Sequence, residues 1–214
     1  RGIEFMSTPF DVDSADFLND LMPVFKISSS DITNFPFIKY MCKFKKPILL
    51  STGASRIWEI QQAVEVINEF GNDLCLLHCI LNYPTLTENA NLGMILSQKI
   101  KFPELIPGYS DHTMPGNMEV LKTAVLLGAV ILEKHFTFDK SLPGNDHYHA
   151  MDKDDLKYFF MDMDKIFLML GEFEKRPIDS EDAAIKNARR SLVMKRKVSE
   201  GEIITYDHLT WKRP

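Results

Sequence analysis

Short apolar runs with no polar alternation, separated by helix-patterned segments, are what most restrict the fold of this chain. Ile48-Leu49-Leu50 and Leu74-Cys75-Leu76-Leu77 are of this kind. Strands built from such runs are buried on both faces, as in a parallel sheet. The pattern predicts strands at 3–7, 24–28, 47–51, 74–79, 105–109 and 130–134. Between and after them it predicts helices, among them one capped by Asp13-Ser14 and running to about Leu21. Residues 55–70 read as an amphipathic helix ending at Gly71, and 92–101, 119–128 and 152–170 as further helices. The strand ends fall near Ser7, Lys26, Ser51, His78, Ser110 and Glu133, about 18 to 32 residues apart. That is the repeat of a (β/α) barrel, whose chemistry sits just past the carboxyl ends of the strands. Six units are legible where a closed barrel has eight. The expected architecture is therefore a (β/α)8 TIM barrel lacking about its first two βα units. A doubly wound open sheet is the rival, but no glycine-rich nucleotide fingerprint supports it.

Bulk properties narrow the function. The chain has 214 residues, 45% of them hydrophobic, and a formal net charge of −5. That balance argues against nucleic acid or an anionic membrane as the main partner. An anionic substrate would have to be held by local donors. No apolar stretch approaches a membrane span, and no charged leader with an apolar core opens the chain. Cys42, Cys75 and Cys79 lack metal-finger spacing and read as reduced core thiols of a cytoplasmic protein. Both ends look cut: Arg1 stands where Met would, and the last residues stop within a developing β segment. Residues 179–188 are polar and read as a linker, and a β-rich segment begins at Arg189-Arg190-Ser191. The barrel domain is thus expected over 1–178.

Two histidines suggest chemistry. His112 in Gly108-Tyr109-Ser110-Asp111-His112-Thr113 and His135 in Glu133-Lys134-His135-Phe136 end consecutive apolar strands. On neighbouring parallel strands both imidazoles emerge at one rim, an arrangement suited to a divalent metal with open positions. Two core histidines bonded to backbone would show the same spacing.

Together the strand-end segments resemble the sialic acid synthase (N-acetylneuraminate synthase) family. The segments are Ser7-Thr8-Pro9-Phe10-Asp11, Lys26-Ile27-Ser28-Ser29-Ser30-Asp31, Pro47-Ile48-Leu49-Leu50-Ser51-Thr52-Gly53, Leu77-His78-Cys79 and Tyr83-Pro84-Thr85. The two histidine segments and Pro143-Gly144-Asn145-Asp146-His147 come after them in order. Arg189-Arg190-Ser191 is similar to the entry of the family's C-terminal SAF (antifreeze-like) domain, so 189–214 would be its beginning. The resemblance implies condensation of phosphoenolpyruvate with an amino-sugar aldehyde, N-acetylmannosamine or a relative, giving a nine-carbon acidic sugar and phosphate. It implies Mn²⁺ or Mg²⁺ on His112 and His135, and a homodimer in which each SAF domain covers the partner's barrel mouth. Thr8, Lys26, Ser29, Ser51 and Ser110 are then the candidates to hold phosphoenolpyruvate. Lys26 stands out, because a lysine is unusual in a buried strand. Glu133, two residues before His135 and on the same face, is the candidate acid/base, paired otherwise with a lysine such as Lys26. Tyr83, Asp146 and Asp31 fall on the acceptor-sugar side, and Tyr83 and His135 join Glu133 as catalytic candidates.

The sequence departs from the family's pattern at Leu81, at Asp31, and at His147-Tyr148-His149-Ala150-Met151-Asp152. These changes leave the sugar open, with a legionaminic or pseudaminic type of product as the alternative. His78 is expected as a satisfied histidine of the barrel interior. His147 and His149 are expected on the surface or the acceptor side, outside the metal site. A metal-dependent barrel aldolase or hydrolase of another family and a catalytically incomplete binding fragment are the competing functions.

Overall fold

The computed structural model describes residues 2–213. The chain divides into two compact units, Arg1–Ile166 and Phe167–Pro214. In the first unit five strands form one sheet in the order in which they occur: β1 (Phe25–Ile27), β2 (Ile48–Ser51), β3 (Leu74–Cys79), β4 (Ile106–Asp111) and β5 (Ile131–Lys134). Every pairing is parallel. Helices connect them: α1 (Val12–Asn19) leads into β1, and α2 (Phe35–Cys42), α3 (Ile57–Phe70), α4 (Gly93–Lys101) and α5 (Glu119–Leu126) cross between strands. Helix α6 (Lys153–Leu170) comes after β5. This is an incomplete, open (β/α) barrel.

The expected strand at 3–7 does not form. Residues 2–10 carry no regular structure, and Ile3 is 88% exposed. A strand needs a neighbour for its backbone groups, and β1 keeps its pairing with β2 alone. The cap of α1 also differs from expectation. Asp11, not Asp13, accepts the Ser14 N–H at 2.7 Å, because its extended backbone places the carboxylate over the first turn.

The α3 pattern matches expectation. Ile60, Ala63, Val64 and Ile67 make its buried stripe, and Gly71 ends it in the left-handed conformation at φ 71°. That stripe packs with Ile38 and Met41 of α2 against Phe25, Ile27, Ile48, Leu50, Leu74 and Leu76. Those strand residues define the outer, helix-facing side of the sheet. By alternation and register, Lys26, Leu49, Ser51, Cys75, Leu77, Cys79, Gly108, Ser110 and Glu133 share the inner side.

The second unit holds α7 (Asp182–Ala188) and an antiparallel pair, β6 (Ser191–Met194) with β7 (Leu209–Lys212). No helix of the described residues is long and apolar enough to cross a membrane.

Gly108 sits where the inner side is tightest. A Cβ there would press on the Leu77 side chain and stand 2.8 Å from the Ile131 carbonyl oxygen. Gly108→Ala is expected to cost about 1–3 kcal/mol through overpacking, measured as a shift in the urea midpoint. An unchanged midpoint would show that β3 and β5 yield freely.

Candidate active site at the strand ends

The inner-face alternation carries the polar side chains to one rim. Lys26 Nζ is buried, donates to the Ile27 carbonyl at 3.2 Å, and lies 3.5 Å from Glu133 Oε2. The other oxygen of Glu133 accepts from Ser110 Oγ at 2.8 Å. Glu133 is thus held from both sides, by the lysine named as its alternative partner and by a serine across the β4–β5 register. Ser29 Oγ accepts the Gly53 N–H at 2.8 Å. Ser51 Oγ is buried and has no hydrogen-bond partner among the described residues. These side chains, with Cys79, Tyr83 and His112, line one narrow cleft. An ammonium and an unsatisfied hydroxyl facing the same small space are the features of an anion site.

His112 lines this cleft, and the ring centroid of His135 lies 5.3 Å from that of His112. His112 Nδ1 is 2.9 Å from the Ile80 carbonyl oxygen. The carbonyl can only accept, so Nδ1 carries the proton and Nε2 is left as a free donor of electrons, the usual orientation of a ligating imidazole. Burial, above all, holds His112 and His135 below the ordinary histidine range, and for His135 the neighbouring His112 adds to it. Neutral rings are the form a metal needs. Tyr83 packs its ring 4.2 Å from that of His112 and 5.8 Å from that of His135.

The remaining candidates divide. Asp146 comes within 3.8 Å of His135 Nδ1, too long for a hydrogen bond. Thr8 is half-buried and Asp31 is tied to Asn34 at 3.0 Å, and neither lines the cleft. His78 is satisfied, by the Ala90 carbonyl at 2.9 Å, but it lies on the outer face stacked on Tyr109, not in the barrel interior. The reason is parity: His78 shares its face with Leu74 and Leu76. It lines a separate cavity of about 520 Å³ between α3 and α4, outside the sheet. That cavity is larger than the strand-end cleft but has no buried cation and no orphaned hydroxyl.

Two features are not visible in the sequence pattern. His149, expected on the surface or the acceptor side and outside the metal site, is fully buried, with its ring centroid 5.0 Å from that of His135. Its place in a polar loop conceals this. The second is a closed ion pair on the outer face. Lys134 Nζ donates to Asp111 Oδ2 at 2.6 Å and to the Thr113 carbonyl at 2.7 Å, and both charged side chains are at most 2% exposed. Asp111 also accepts from the Tyr109 hydroxyl at 2.9 Å and from the Thr113 N–H at 3.0 Å. These residues immediately precede His112 and His135 in the chain.

Known proteins share this arrangement of strands. Residues 1–175 match the NeuB family, and the chain belongs to it. It is 40% identical over 99% of its length to the N,N'-diacetyllegionaminic acid synthase of Campylobacter jejuni, spanning 64% of that protein. It is 32% identical over 99% of its length to the human N-acetylneuraminate-9-phosphate synthase, spanning 58% of it. The solved N-acetylneuraminic acid synthetase of Leptospira borgpetersenii superposes with a TM-score of 0.79 at 33% identity, over 86% of this chain and 64% of that one. The chain thus spans about three fifths of these relatives.

Two outcomes are expected. Lys134→Met leaves Asp111 as an uncompensated buried charge and should cost about 3–5 kcal/mol, read from denaturant unfolding. A loss below about 1 kcal/mol, the scale of a surface pair, would show the buried pair to be dispensable. Folding stability should also fall as pH drops below about 6.5, because the unfolded chain takes up protons on His78, His112, His135 and His149 while burial holds the folded rings neutral. An unfolding midpoint that stays flat from about pH 7 to about pH 5, the span over which an unfolded histidine titrates, would contradict this.

Proposed function

We propose that the complete protein condenses phosphoenolpyruvate with an N-acyl amino-sugar aldehyde to give a nonulosonic, sialic-type acid and phosphate. The observation that carries this reading is the buried Lys26 ammonium beside the unsatisfied Ser51 hydroxyl, at the strand ends of a NeuB-family barrel. Lys26, Ser29, Ser51 and Ser110 hold the phosphate and carboxylate of phosphoenolpyruvate. C3 of the bound enol attacks the aldehyde carbon. Water then adds at C2, and the C–O bond to phosphate breaks. Glu133 takes the proton of that water, its second oxygen being kept in place by Ser110. Tyr83 offers a flat face and a hydroxyl to the sugar, and Asp146 takes its hydroxyl groups.

A divalent ion, Mn²⁺ or Mg²⁺, fits on the free Nε2 of His112 and on His135, where it would supply Lewis-acid polarisation of the aldehyde oxygen. The fit rests on two neutral imidazoles, one of them oriented by the Ile80 carbonyl. The higher identity to a diacetyllegionaminic acid synthase than to the human neuraminate enzyme favours an acceptor with two acetamido groups over N-acetylmannosamine. Residues 189–214 are taken as the opening of a SAF domain that, in a homodimer, covers the partner's barrel. Three free cysteines suit a cytoplasmic setting.

The test is phosphate release by the complete protein with phosphoenolpyruvate and a panel of N-acyl and diacetamido hexoses. Release should require both substrates and vanish on chelation. Lys26→Ala should lower kcat/KM for phosphoenolpyruvate about 10- to 100-fold, the equivalent of a lost hydrogen bond to a charged group. No release with any acceptor in the presence of Mn²⁺ would sink the assignment.

A further inference from the structure

His149 has no explanation in the chemistry above. It is fully buried, and neither of its ring nitrogens forms a hydrogen bond among the described residues. The Asn145 backbone comes near the ring without reaching hydrogen-bond geometry. A buried neutral imidazole carries one N–H and one lone pair, so two polar atoms are left unsatisfied. Each such atom costs free energy, and native structures rarely leave it so without a ligand in view.

The position of His149 is constrained. The Met151 N–H donates to the His135 carbonyl at 2.8 Å, and the Thr137 N–H donates to the Met151 carbonyl at 2.8 Å. These bonds close the loop between Thr137 and Met151 back onto the end of β5. The Thr137 hydroxyl also pairs with His147 Nδ1 at 2.7 Å. The loop therefore returns His149 to the rim beside His135, while Tyr148 turns its hydroxyl to the Tyr83 carbonyl at 3.4 Å. Three donor atoms, one each from His135, Asp146 and His149, lie within 4.8 Å of one another. Among the described residues the Asp146 carboxylate has only the 3.8 Å approach of His135 Nδ1. His112 is not a member of this group, although its ring neighbours that of His135. Two donor sets thus share His135.

We propose that His149 is a metal ligand, acting with His135 and Asp146, and that this set makes the site select divalent transition-metal ions over Mg²⁺. The inference rests on the metal reading of the proposed function and adds the identity of a ligand and the class of ion. Two imidazoles and one carboxylate, with open positions remaining, suit Mn²⁺, Fe²⁺, Co²⁺ or Zn²⁺. Mg²⁺ demands oxygen ligands and keeps its water, so a second nitrogen donor gains it little. Asp146 then serves the ion as well as the sugar.

The experiment titrates the metal-stripped protein with Mn²⁺, Co²⁺ and Mg²⁺ separately, following Mn²⁺ by electron paramagnetic resonance and Co²⁺ by its d–d absorption. His149→Ala should weaken Mn²⁺ and Co²⁺ by at least the roughly 10- to 100-fold seen when even a ligand-orienting partner is lost. The Co²⁺ spectrum should shift, and Mg²⁺ binding should change little. His149→Phe guards against a folding defect. The metal-free variant should be as stable as the parent, since no hydrogen bond is removed, while the rise in Tm on adding Mn²⁺ should shrink. If both variants keep the parent's Mn²⁺ and Co²⁺ affinities while His112→Ala loses them, His149 is not a ligand and the metal reading survives. If the unaltered protein binds none of the three ions, the metal reading itself fails.

Discussion

The buried pair of Lys134 and Asp111 is the interaction on which the rim depends. Two opposite charges, both almost wholly withdrawn from water, are tolerated because they pair directly and the carboxylate accepts four hydrogen bonds. The Tyr109 hydroxyl, the Thr113 N–H, the Thr113 hydroxyl and the ammonium share the carboxylate, and the Thr113 carbonyl takes a further ammonium proton. The pair ties the last residue of β4 to the last residue of β5. One residue further along each chain segment stands a histidine, His112 or His135, on the opposite face. A rigid outer clamp thereby sets the spacing of the inner rings. Because both charges are buried, removing either partner strands the other.

The inner face divides by chemistry along the sheet. On the β1–β3 side the cleft is small and carries an ammonium and hydroxyls, with Gly53 so close to Ser29 and Cys79 that a Cβ would touch both. On the β4–β5 side stand neutral imidazoles and a tyrosine face. Glu133 joins the two, bonded to Ser110 and paired with Lys26. A compact anion on one side and an electron-accepting ion on the other would place a carboxylate between them, the arrangement a condensation between an enol phosphate and an aldehyde calls for. Cys79 lines the same cleft, where burial raises its thiol pKa and keeps it uncharged.

Much of this was legible from residue order. The regular alternation of apolar runs and helix stripes specifies a parallel βα architecture, and the positions of β2, β3 and α3 agree within a residue or two. The segment 3–7 forms no strand because an apolar, alternating segment is compatible with one but cannot supply its own hydrogen-bond partner. Asp11 rather than Asp13 caps α1 because two acidic residues separated by one position are indistinguishable until the backbone turns. His78 was assigned to the wrong face by a one-residue parity that only the register with β4 resolves. The polar loop holding His149 has the composition of a surface segment, and nothing in composition shows that two backbone bonds to the end of β5 fold it inward.

The amino-acid sequence by itself determined the class of fold, the strand ends at which chemistry collects, and the membership of Lys26, Ser51, Ser110, His112, Glu133 and His135 in that set. Period-two alternation and the βα repeat are local properties, and they project those side chains to one face and one rim whatever surrounds them. Tertiary structure alone decided what each group meets: Glu133 between Lys26 and Ser110, Ser51 without a partner, Asp111 locked to Lys134, and His149 buried against His135. Partners, burial and the orphaning of a polar atom depend on segments far apart in the chain, and their distances exist only once the sheet and its loops have closed upon one another.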